Sequence, residues 1–125
     1  MLITINDVKT RGYDLLKDGA LIQGDFATKE DSANQFIEEC CDMVWALIEK
    51  HKGFKWVEQF KLDMENQTNS IISYYKENMK KILLDQIVFI YENGDSNATA
   101  LKDENKRVYS PKVIAKLYNL GILKM

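Results

Sequence analysis

Few side chains in this sequence carry chemistry on their own. Cys40 and Cys41 are adjacent, His51 is the only histidine, and Glu38-Glu39 is a carboxylate pair. Neighbouring cysteines on a helix do not readily bridge, and without a CxxC or a second histidine a metal site is not expected. Glu38 and Glu39 diverge on a helix, so they do not form an acid–base pair. No phosphate loop, GxGxxG, HExxH or GxSxG occurs. His51 lies between Lys50 and Lys52 near an expected helix end, a place for dipole compensation. The expectation is a protein without catalytic residues, metal or cofactor. Trp45 and Trp56 have the size of interface anchors, with core packing the competing reading. Basic residues gather late in the chain, where Asp95, Lys102, Lys106, Arg107, Tyr109, Lys112 and Lys116 are candidates for contact with a partner.

The elements that would position these residues are helical. One proline and six glycines in 125 residues leave few breaks, and a 46% hydrophobic composition suits one ordinary globular core. A first helix is expected over about 5–21, capped by Thr4 with Asp7 three residues on, and weakened at Gly12. The second, 28–52, is the clearest. Thr28 caps it, and Ala33, Phe36, Ile37, Cys40, Cys41, Val44, Leu47 and Ile48 recur on one face. Glu30 and Asp31 open that helix, and Lys50, His51 and Lys52 close it, with signs that complement its dipole. Residues 54–67 fit both alternation and a helical turn; lacking a partner strand, they are expected to be irregular or helical, with Trp56 and Phe60 on the core.

A third long helix is expected over 70–93, with Ile71, Tyr75, Met79, Ile82, Gln86, Phe89 and Ile90 along its stripe. It is apolar on most sides from Ile82 to Tyr91, as a central helix is. Its two polar exceptions, Asp85 and Gln86, need partners or a subunit contact. Gly94 is the expected stop, residues 95–109 form a long loop, and Ser110-Pro111 start a last helix over 111–120 ended by Gly121. The fold class is therefore all-α: a single small bundle of about four helices, with a long loop before a short C-terminal helix.

The formal net charge is −2, which does not suit a surface that grips nucleic acid throughout. Charge is segregated, however. Residues 29–49 are strongly acidic, and after Gly94 six basic residues face three acids. No leader peptide is visible at Met1–Thr4, and no apolar window is long enough to span a membrane, so a cytoplasmic protein is expected.

Two stretches carry a resemblance. Gln86-Ile87-Val88-Phe89-Ile90-Tyr91-Glu92-Asn93-Gly94-Asp95 resembles the long-helix ending of small head–tail connector (adaptor) proteins of tailed bacteriophages and prophages. Tyr109-Ser110-Pro111 through Leu120-Gly121-Ile122-Leu123 is similar to their "SP…L…GLL" close, and the opening MLITINDVKTRGYDLL looks like theirs. The resemblance implies a structural virion protein without enzymatic activity. It would be made in the host cytoplasm and reside in the virion neck. Its partners would be the portal protein, the next neck or tail protein, and further copies in a ring, dodecameric in relatives and monomeric when free. Genomic DNA would pass through the ring without specific binding. The alternative from the residues themselves is a small DNA-binding transcriptional or antitoxin-like regulator using the basic C-terminal segment. A small hydrolase with an unrecognised site is a third reading.

Overall fold

In the computed structural model, residues 2–16, 28–93 and 109–124 are described. They form five helices and, among the described residues, no strand: α1 (Ile5–Thr10), α2 (Lys29–Lys52), α3 (Phe54–Asn66), α4 (Ser70–Asn93) and α5 (Pro111–Asn119). The chain is all-α, as its periodicity implies. None of these helices is long and apolar enough to cross a membrane.

Local chemistry sets each boundary. Thr4 and Asp7 form a reciprocal capping box at the start of α1: the Asp7 N–H donates to Thr4 Oγ1 (3.2 Å) and the Thr4 N–H to Asp7 Oδ2 (2.8 Å). The helix expected over 5–21 ends at Thr10. Gly12, where a break in the helix was expected, takes a φ of +98°, a left-handed conformation that stops the α-helical ladder. Positions 17–21 lie outside the described residues. Thr28 Oγ1 caps α2 by accepting from the Asp31 N–H at 3.0 Å.

Gly53, at φ +91°, then turns the chain so sharply that α3 starts at the next residue. Residues 54–66, ambiguous by pattern, are thus a helix. Its Val57, Phe60 and Met64 are buried, whereas Trp56, expected on the core, remains 37% exposed. Asn69 Oδ1 accepts from the Ile72 N–H (2.9 Å) at the start of α4. The last helix closes one residue earlier than expected, and the Ile122 and Leu123 N–H groups fold back onto the Leu117 carbonyl.

The central position expected for the third long helix is taken by α4, which packs against each of the other four. Met79, Ile82, Leu83, Ile87 and Ile90 bury its inner sides against Phe36, Ile37, Cys40, Val44 and Ile48 of α2. Val113 and Leu117 of α5, with Ile122 and Leu123 after it, seal another side. Only the start of α4 departs from the expected stripe: Ile71 is 68% exposed. Cys40 and Cys41 are free and buried, so their role is packing. Burial raises both thiols, Cys41 to about 12.

Candidate functional site

The two polar residues inside the apolar run of α4 organise the site. Asp85 and Gln86 are both buried, and both face elements from the ends of the chain. Asp85 is shared by two cations. Arg11, in the turn after α1, donates to Oδ1 at 3.1 Å, and the Lys116 ammonium of α5 lies 2.5 Å from Oδ2. Gln86 Oε1 accepts from the backbone N–H of Ser110 at 3.1 Å, and its amide nitrogen approaches Met43 Sδ of α2 at 3.9 Å. One adjacent pair therefore fixes the turn at Arg11, the cap of α5 at Ser110 and its last turn at Lys116. This answers the need for partners that the sequence raised at these positions.

A cleft of about 490 Å³ opens where these elements meet. Arg11, Tyr13 and Asp85 line one part, Val88, Phe89, Glu92 and Asn93 another, and Ser110-Pro111-Lys112 the rest. The Tyr13 hydroxyl donates to the Glu92 carboxylate, and that bond, aided by burial and the carboxylate's charge, holds the phenol above its usual pKa. Its ring packs edge-on against Tyr91 (5.5 Å), which meets Phe36 of α2 (6.5 Å).

The candidate contact residues fall in different places. Lys112 lines this cleft and is exposed. Lys116 is committed to Asp85. The Tyr109 hydroxyl donates to the Met43 carbonyl at 3.1 Å, tying the entry of α5 to α2, and burial raises its pKa. Trp45 belongs elsewhere. It is 8% exposed, packs against Phe60 (ring centroids 6.1 Å apart), and carries the Lys61 ammonium over its ring at 4.7 Å. Asp95, Lys102, Lys106 and Arg107, with the expected Gly94 stop, lie outside the described residues. Arg11, Tyr13 and Glu92 were not singled out by pattern. Only Asp85, a charge in an apolar run, signalled that a distant cation must arrive.

Chemically, the arrangement holds elements together. Asp85 is an acceptor already served by two cations, and Ser110 Oγ is occupied as the cap that accepts from the Lys112 N–H at 3.2 Å. The two are thus not arranged as base and nucleophile. Among the described residues, no three His, Cys, Asp or Glu side chains gather as a metal site would require. Comparison with family models, curated proteins and solved structures gave no match.

Proposed function

We propose that this chain is a structural assembly protein: a head–tail connector that forms a ring below a phage portal and joins capsid to tail. The observation that supports it best is the buried hydrogen bond from the Ser110 N–H to Gln86 Oε1. The stretches that carry the resemblance, 86–95 and 109–123, are far apart in the chain yet meet at this bond, and they form one unit with Asp85 and Lys116. A rigid unit built from two distant stretches of the chain is what an assembly protein needs to present a docking surface. The segment between them follows Asn93, the last residue of α4, and precedes Tyr109, whose hydroxyl is bonded to the Met43 carbonyl, and by sequence it holds Lys102, Lys106 and Arg107. With Lys112, these cations would steer contact with the portal or the next neck protein, while apolar anchors supply the affinity.

The regulator reading has less support. A DNA-binding segment needs cations free to meet phosphates, and the Lys116 charge is taken by Asp85. Co-expression with the portal protein encoded in the same gene cluster tests the proposal. A stable portal complex that is weakened by reversing Lys106, Arg107 and Lys112 to glutamate supports it. Absence of any complex, together with protection of a duplex operator whose affinity falls steeply with salt, overturns it.

A further inference from the structure

The bonds that hold the chain ends together leave part of their cleft unsatisfied. Arg11 is 37% exposed, and among the described residues Nη1 is its one hydrogen-bonded donor, given to Asp85. A guanidinium carries its donors in a planar fork, so most of it stays open to a second carboxylate. Lys112, exposed on the same cleft, makes no ion pair among the described residues. It sits in the first turn of α5, where the helix dipole also favours an anion. The apolar lining is open as well. Val88 and Phe89 are half-buried and Pro111 is exposed, so a ligand that covers them removes further apolar surface from water.

The two acids of the cleft limit what can enter. Asp85 is met by Arg11 and Lys116. Glu92 accepts the Tyr13 hydroxyl but, among the described residues, has no cation. It therefore repels a phosphate backbone while accepting an N–H donor, and a phosphate backbone would also leave Val88, Phe89 and Pro111 uncovered. An extended peptide meets all three demands. It brings a side-chain carboxylate for Arg11 and Lys112, an apolar side chain for Val88, Phe89 and Pro111, and a main-chain N–H for Glu92. The volume of about 490 Å³ admits a few residues of such a segment.

We infer that this cleft binds an extended segment of a partner protein in which acidic and large aliphatic residues adjoin. Arg11 and Lys112 hold the carboxylates, and Val88, Phe89 and Pro111 seat the aliphatic side chain. The peptide site stands on the geometry of the cleft; that the segment belongs to a portal or neck protein rests on the proposed function.

Peptide titration tests it. A fluorescein-labelled hexapeptide, EDLLDE, is followed by fluorescence anisotropy. The comparison ligands are EDGGDE, which lacks the apolar pair, KKLLKK, of opposite charge, and a labelled oligo-dT. EDLLDE should bind saturably below about 1 mM, and each comparison ligand at least about tenfold more weakly. Arg11→Lys keeps a cation for Asp85 and loses the fork, and Lys112→Glu reverses an exposed charge. Each should weaken EDLLDE about tenfold, with circular dichroism verifying folding. Lys55→Glu, the same change of charge on an exposed residue of α3 outside the cleft, should leave binding as in wild type. No binding of EDLLDE by about 1 mM, equal binding of EDGGDE, tighter binding of the oligonucleotide, or indifference to Arg11→Lys and Lys112→Glu overturns the inference. The portal complex, measured with the same variants, separates the two claims. A complex that forms and is indifferent to Arg11→Lys removes this seat and leaves the connector function standing; Arg11-dependent binding of EDLLDE without a portal complex does the reverse.

Discussion

The sharing of Asp85 between Arg11 and Lys116 predicts a specific failure of additivity. Substitution of Lys116 by methionine keeps the apolar stem and removes the charge. Asp85 then retains Arg11, and the lost pair involved an ammonium on a side chain 41% exposed, so solvent screening holds the cost to about 1 kcal/mol. Arg11→Met is equivalent, since that side chain is 37% exposed and Lys116 remains. The double variant differs in kind. A carboxylate whose side chain is 8% exposed is left with neither cation, and an uncompensated buried charge costs about 3–5 kcal/mol. The double variant should therefore fall below the sum of the singles by about 1–3 kcal/mol. Adding Asp85→Asn to it removes the orphaned charge and should recover part of the loss. Urea denaturation followed by circular dichroism gives all four stabilities. Additivity within about 0.5 kcal/mol, or no recovery by the asparagine, would refute the sharing of one buried carboxylate by both ends of the chain.

Other perturbations address the remaining supports. Gln86→Leu leaves the Ser110 N–H without its buried acceptor, a loss of about 1–3 kcal/mol, and hydrogen exchange should rise first in α5 while α2 stays protected. Leu117→Ala should cost about 2–5 kcal/mol by opening a cavity beneath α5, read as a lower denaturation midpoint. Gly53→Ala places a Cβ at φ +91° and should cost about 1–2 kcal/mol in the same assay, although the space around it is open. The thiols give a pH dependence. Cys41 stays protonated in the folded chain up to about 12, whereas the unfolded thiol ionises near its ordinary value, so the unfolded state binds fewer protons in between. Stability should then fall as pH rises above about 9, by about 1.4 kcal/mol per unit for this group, and Cys41→Ala should flatten that slope.

Much of the fold is legible in side-chain order because its signals are local. Thr4 with Asp7, Thr28 with Asp31, and Ser110 with Pro111 mark helix starts through bonds that span three residues or fewer, and each cap is present. The acidic and basic ends of α2 likewise fall where its dipole calls for them. What escaped depended on conformation or on distance. A break at Gly12 is legible, but its positive φ, which ends α1, is not. Residues 54–66 fit both alternation and a helical turn, so the reading stopped at irregular or helical, and the turn at Gly53, which allows helix to follow helix, has no periodic signature. The site was half legible. Two polar residues in an apolar run announced a need for partners, but Arg11 is 74 residues away from Asp85 and nothing in its neighbourhood marks it.

The attachment of α5 divides into two kinds of contact with different consequences. Val113, Leu117, Ile122 and Leu123 supply the free energy, since fully buried aliphatic side chains stabilise by about 1.5–3 kcal/mol each. Those contacts are non-directional, and a short helix with one apolar face can slide by a turn over α4 and still bury them. The polar contacts do not tolerate that slide. A shift of one turn, about 5.4 Å, would take the Ser110 N–H from Gln86 and the Lys116 ammonium from Asp85 together, leaving two buried polar groups without these partners. Asp85 and Gln86 therefore fix the register of α5 more than they stabilise it, and with it the point at which Tyr109 re-enters the fold. For a protein proposed to present the segment before Tyr109 to a partner, that register determines where the segment ends, and so which surface the partner meets.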